Sequence, residues 1–239
     1  MPGIFASFCP YSHSASDDPI VFPRQAGASH LHDFFANRAT DAFSTADSLR
    51  TSGMSTCNMA GDTSAYWVPA LYENGRRIVP GFLGAYYSAG DKNASTIEAF
   101  PRGLKMVVND SDQTKWYCHD GNPAPTMLEE VPTCPYGQYL AMFIAFPDCW
   151  DGKYLDVPDH RSHMAYATQG VCPKTHPVPV TQLRFFIGYP ASGGPGVVLA
   201  PQSNPSVPHA DFLNSWDQKM LARFVRDCVK ADVLCDGAL

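Results

Sequence analysis

Tyr139-Leu-Ala-Met-Phe-Ile-Ala-Phe146 is almost entirely apolar over eight residues, as a strand buried on both faces is. Gln182 to Tyr189, rich in aromatic and branched residues, reads as a second strand. Working outward, Tyr66 to Tyr72, Arg77 to Phe82 and Leu104 to Val108 are shorter β-prone runs. The first two flank Asn74-Gly75, a strong hairpin signal. Helix signals are few. Ser44 to Arg50 is one candidate, with Ser44 as N-cap and Gly53 as stop. Trp216 to Cys228 is the other: Trp216, Met220, Leu221, Phe224, Val225 and Cys228 form one apolar stripe, capped by Asn214 or Ser215. Pro10, Pro19 and Pro23 keep residues 1–40 extended or looped. Five prolines make 147–180 a long loop, and 190–208 is a Gly/Pro/Ser-rich connection. No repeat and no composition break divides the chain. The expectation is one mainly β domain over 1–239, with a β-sandwich or jelly-roll-like core, long loops, a short helix near 44–50 and a C-terminal helix near 216–228.

Composition agrees with a loop-rich globular protein: 45% hydrophobic residues, 17% charged, 21 prolines and 18 glycines in 239 residues. A net charge of −6 offers no basic face, so no nucleic-acid partner is expected. No apolar run approaches the length of a membrane span. The eight cysteines, at 9, 57, 118, 134, 149, 172, 228 and 235, show no zinc-ribbon spacing. An even count without metal spacing reads as a disulfide framework made in an oxidising compartment. Proximity along the chain pairs Cys118 with Cys134, Cys149 with Cys172 and Cys228 with Cys235, leaving Cys9 for Cys57. The first residues, Met-Pro-Gly-Ile-Phe, have no leader-like pattern, so the expectation is a secreted, extracellular chain whose leader has been removed. A monomer is expected. Asn93-Ala-Ser95 and Asn109-Asp-Ser111 are glycosylation sequons.

Three polar clusters carry the candidate chemistry. In Ser29-His30-Leu31-His32-Asp33-Phe34-Phe35-Ala36-Asn37, extended backbone puts His30 and His32 on one side and Asp33 on the other. Paired imidazoles on one face suit metal ligation, or a base with a neighbour that tunes it; two surface histidines beside a buried Phe pair is the bland alternative. The second cluster packs Asp151, Asp156, Asp159, His160, Arg161 and His163 into thirteen residues behind Cys149-Trp150. One helical turn would align His160 with His163, while the bland reading makes Asp151-Gly152 a turn and Asp159 a cap. The third, His209-Ala-Asp211-Phe-Leu-Asn214, sets a carboxylate beside an imidazole, an arrangement that fixes a tautomer and raises basicity. Aromatic pairs, Tyr66-Trp67, Tyr86-Tyr87 and Trp116-Tyr117, with Trp150 and Tyr154, offer sugar-stacking surfaces, although most such residues are core. No Gly-x-Ser-x-Gly elbow, phosphate-binding loop or His-Glu-x-x-His motif is present.

Five motifs in order, His30-Leu-His-Asp-Phe-Phe-Ala-Asn37, Ser64-Ala-Tyr-Trp-Val-Pro69, Cys149-Trp-Asp-Gly152, Asp159-His-Arg-Ser-His-Met-Ala-Tyr166 and His209-Ala-Asp-Phe212, resemble the hallmarks of DUF1996. This is a family of secreted proteins from actinobacteria and fungi, some joined to carbohydrate-binding modules. Where its first motif usually has Gly, this chain has Ala36. The resemblance implies an extracellular protein acting on cell-wall or plant polysaccharide, with no settled reaction.

Three functional expectations follow. The first is a glycoside hydrolase or polysaccharide lyase needing no cofactor, with acid–base groups drawn from His32, Asp33, Asp151, Asp156, His160, His163, His209 and Asp211. Asn37, Tyr66, Trp67, Trp150, Arg161 and Tyr166 would contact a polysaccharide or cell-wall glycan. The second is a zinc or copper centre for hydrolysis or oxidation, with ligands from His30, His32, His160, His163 and His209. The third is a non-catalytic glycan-binding protein.

Overall fold

The computed structural model describes residues 3–109, 111–121, 125–200 and 208–235. The Asn109 sequon and the 190–208 connection each fall partly outside these residues.

One curled sheet holds ten strands: the short Leu234–Cys235 joins off its main path, parallel to Ile4-Phe5, and nine antiparallel strands form the path, β1 (Ile4–Ala15), β2 (His32–Ala36), β3 (Ala65–Pro69), β4 (Phe82–Ser88), β5 (Lys105–Val108), β6 (Thr114–His119), β7 (Tyr139–Ala145), β8 (Gln182–Tyr189) and β9 (Ala210–Leu213). Their order is β5-β9-β3-β2-β1-β4-β8-β7-β6. The curl comes from β1. Its first residues pair with β4 as far as Pro10↔Phe82, and from Tyr11 onward it pairs with β2. Pro10, which has no N–H to give to a ladder, stands where the pairing changes over. A register shift between Tyr11 and His13 completes the bend. Two half-sheets thus close on each other as a β-sandwich does. Tyr66 of β3 meets Phe185 of β8 edge to face across the interior (5.3 Å between ring centroids).

Asn74 and Gly75 both take positive φ in a two-residue hairpin with Glu73 opposite Arg76, as the sequence signal predicts. The flanking runs are shorter than expected. The Tyr66–Tyr72 run divides into β3 and Leu71–Glu73, which join different sheets, and Val79-Pro80-Gly81 separates Arg76–Ile78 from β4. Residues 3–40 are extended chain and loop without helix, as expected, the extended part being β1 over twelve residues and β2 over five. Tyr139 to Ala145 is a strand, but only one of its faces is buried. Leu140, Met142 and Ile144 point inward, whereas Tyr139 and Phe143 are half-exposed on an aromatic outer face. Apolar composition alone does not separate those two situations.

Helix α1 (Ala46–Ser52) is capped by Thr45, reciprocally with Ser48, and stopped by Gly53 in the left-handed region. Ser44, the expected cap, instead donates to Asp41. Helix α2 (Gln218–Phe224) begins at Asp217, whose side chain accepts from Lys219 and Met220 N–H. Asn214 and Ser215 do not cap it; Asn214 donates to the carbonyls of Phe100 and Pro101. The helix widens to π-type bonding over Val225–Lys230 and buries Leu221, Phe224, Val225 and Cys228. No helix of the described residues is long and apolar enough to cross a membrane.

All eight cysteines are paired: Cys9–Cys57, Cys118–Cys134, Cys149–Cys172 and Cys228–Cys235. The proximity pairing is correct throughout, and such a framework belongs to an oxidising compartment. Cys149–Cys172 staples the 147–180 loop, which also holds three two-residue strands. Beneath the loop, Lys92 is buried in an ion pair with Asp148.

Candidate metal centre

On β2 the pleat sends Phe35 into the sandwich core and His32 and Phe34 to the opposite face, against Trp67 and Leu213. His30, just before the strand, keeps to the same side, as the alternation predicts. Since β9 lies beside β3 and β3 beside β2, His209 and Asp211 reach this face from the far end of the chain. The Nε2 atom of His209 stands 3.1 Å from Nε2 of His30 and 3.1 Å from Nε2 of His32. Two nitrogens each about 2.0–2.1 Å from one zinc ion stand about 2.9–3.4 Å apart, for ligand angles of roughly 90–110°.

The tautomer of His32 is fixed. Its Nδ1 lies 3.0 Å from the Asp17 carbonyl, which can only accept, so Nδ1 carries the proton and the neutral ring aims a bare lone pair from Nε2 into the cluster. Burial holds the His32 pKa well below its ordinary value, and His30 and His209 push the same way. Burial also lowers His30. Asp211 lies behind the nitrogens with one oxygen 4.0 Å from His209 Nε2. Among the described residues neither of its oxygens has a hydrogen-bond partner, and burial, with the charge of Asp18 added, pushes its pKa well above the usual carboxylate range. Asp18, His32 and Asp211 themselves converge within 4.8 Å. Asp18 accepts from the N–H groups of Ile20 and Val21, yet burial keeps its pKa raised. The Trp67 indole approaches Asp18 closely enough to lower that pKa without reaching hydrogen-bond geometry.

Desolvated imidazoles around carboxyls that resist ionisation make a site short of positive charge. A divalent cation reverses that balance, because it favours both the neutral imidazole and the ionised carboxylate. The site is walled on the Asp211 side, while His30 is half-exposed on the other.

The second sequence cluster does not join these groups. Asp151 accepts from the N–H groups of Lys153 and Tyr154, and Asp159 from those of Arg161 and Ser162, so both close turns. His163 is buried with Nε2 2.7 Å from the Lys105 carbonyl. His160, in the left-handed region at φ 56°, sets Nδ1 2.7 Å from Asp156, which Lys105 also holds. Those bonds outweigh the burial that raises the Asp156 pKa and leave it lowered. His160 lines a separate cleft of about 550 Å³ with Arg161 and Tyr166.

Most of the other candidate residues lie inside the fold, while Trp150 and Tyr166 are half-exposed. Asp33 faces away from His32 and pairs with Arg77, accepting also from Ser14. Asn37 is buried and donates to the Leu49 and Thr63 carbonyls. Tyr66 is buried with its hydroxyl on Asp62 and Tyr87, and Trp67 is buried in the layer beneath the histidines. Trp150 donates to the Tyr154 carbonyl, and Tyr166 to that of Ala145. Sequence reasoning missed Asp17 and Asp18; an Asp-Asp-Pro turn gives no sign of which strand it will cover.

A family model described as domain of unknown function (DUF1996) matches residues 18–216. No curated protein and no solved structure matches the chain.

Proposed function

The chain belongs to the DUF1996 family, and on that premise we propose that it is a secreted metal-dependent enzyme. Its centre is His30, His32 and His209, with Asp211 supplying charge balance and polysaccharide as the substrate class. The observation that carries this reading is the convergence of the three Nε2 atoms above a buried carboxylate that has no hydrogen-bond partner among the described residues. Three histidines with one open side are the donor set of catalytic sites, whereas structural sites are closed by a fourth protein ligand. Nitrogen donors of this kind suit zinc or copper. When bound, such an ion supplies Lewis acidity that lowers the pKa of a coordinated water, or redox chemistry if it is copper.

The chain's own residues do the rest. The Asp17 carbonyl holds the His32 ring in one tautomer and orientation. Asp211 and Asp18 offset the ion's charge from the buried side, and substrate approaches past His30. The geometry supports metal-free acid–base hydrolysis less well, because Asp33 and Asp151 are engaged elsewhere.

The test is elemental mass spectrometry on the purified protein, as isolated and after loading with zinc or copper. His32→Ala and His209→Ala are measured beside the wild type, and a polysaccharide panel is assayed with and without chelator. One ion per wild-type chain, lost in both variants, is the expected result. Failure of the wild type to take up either ion would overturn the reading.

A further inference from the structure

The half-sheet away from the His30, His32 and His209 cluster carries an aromatic groove on its outer face. Along β8 and β7 the floor is Gly188 paired with Ala141. The rings of Phe82 and Tyr139 lean over Gly188 from either side; a Cβ there would stand 2.9 Å from Phe82 and 3.1 Å from Tyr139. The glycine is therefore what lets both rings lie down on the strands. Tyr86 and Tyr117 continue the walls, each roughly perpendicular to Phe186, at 72° and 77°. The space enclosed is about 380 Å³, within the range of about 300–1,000 Å³ for small-molecule sites.

We infer that this groove binds a pyranose oligosaccharide. Its walls alternate apolar ring surface with polar tips, the pattern that a sugar's C–H faces and hydroxyl rim complement. Burial pushes the Tyr86, Tyr117 and Tyr139 phenols up, and the neighbouring phenols add to it at Tyr86 and Tyr117, so all three stay neutral hydrogen-bonding groups. The Arg184 guanidinium and the His119 ring extend the polar rim, and no carboxylate among the described residues lines the groove, which disfavours a cationic ligand. A hydrocarbon ligand or an apolar protein surface would leave this polar rim unanswered. The histidine cluster and the groove lie on opposite outer faces of the sandwich, so binding here does not rest on the metal centre.

Isothermal calorimetry with cellohexaose and xylohexaose as neutral probes and hexagalacturonate as the acidic one tests the inference. Arg184 would favour the acidic probe; stacking alone would favour the neutral ones. Tyr86→Ala and Tyr139→Ala are expected to weaken binding at least tenfold, Tyr139→Phe to weaken it less, and His32→Ala to leave it unchanged. Matching thermal unfolding of Tyr139→Phe and wild type guards against misfolding as the cause. The inference falls if none of the three probes binds, if binding survives both Ala variants, or if it is His32→Ala that abolishes it. Concentration-dependent dimerisation abolished by Tyr139→Ala would make the occupant a second copy and would equally overturn it.

Discussion

His32 and His209 stand with their Nε2 atoms 3.1 Å apart although 177 residues of chain separate them. A single ion held between them would bridge strands from opposite ends of the sequence and stabilise the folded state by mass action. Zinc at about 100 times its Kd should add about 2.7 kcal/mol, which for a domain of this size is about 5–11 °C in Tm. Thermal unfolding with and without chelator measures it, and His209→Ala should show no increment.

Ala36 is buried with φ at 65°, in the left-handed region that favours glycine. The Gly that the resemblance leads one to expect here would fit that backbone without strain. Ala36→Gly should leave stability within about 1 kcal/mol, since relief of backbone strain offsets the lost methyl and the added chain entropy. Ala36→Val should cost several times more, because a β-branched side chain is a genuine outlier there and has no room. Urea midpoints of the three proteins order the effects; a neutral Val variant would refute the account.

Asp33 is pushed up to about 6 by burial, against the lowering influence of Ser14 and Arg77. A carboxyl whose folded pKa exceeds its unfolded value binds its proton more tightly when folded. Its contribution is therefore fully present below about pH 4 and is lost as pH rises through about 6, by about 3 kcal/mol at most. Asp33→Asn should remove that slope. Urea unfolding at intervals from pH 4 to 7, in chelator, should show the stability difference between wild type and variant shrinking with pH; a constant difference would refute the assignment.

Lys92 and Asp148 form an ion pair with both side chains only 2% exposed. Asp148 also accepts from the Ala167 N–H and so anchors the 147–180 loop. Lys92→Met should cost about 3–5 kcal/mol, because it strands a buried carboxylate. The double variant Lys92→Met with Asp148→Leu should be less damaged than that single one, and chemical denaturation of the set reads the coupling.

The sequence already carries the β content, the Asn74-Gly75 hairpin and the side of β2 that His30 and His32 share, because each rests on local periodicity or turn chemistry. It does not carry strand order. Tyr66 and Trp67 look like sugar platforms until β3 is found between β2 and β9, with both its faces covered. Tyr86-Tyr87 and Trp116-Tyr117 look alike as pairs, yet alternation packs Tyr87 and Trp116 into the core and turns Tyr86 and Tyr117 toward the groove. His160 and His163 share a dense polar cluster with Asp151 and Asp159, but turn-making accounts for both of those carboxylates. Density of polar residues marks a tightly folded loop as readily as a reactive one.

The four disulfides join each cysteine to its next neighbour in the chain, first to second, third to fourth, fifth to sixth and seventh to eighth. A polypeptide threading into an oxidising compartment from its amino end meets these partners in order. Whenever an unpaired thiol waits, the next one to emerge is the correct one. Oxidation that keeps pace with emergence reaches the native set without reshuffling, whereas a full-length reduced chain must choose among about 105 complete pairings. Its maturation should depend little on disulfide isomerase and strongly on the direction of delivery.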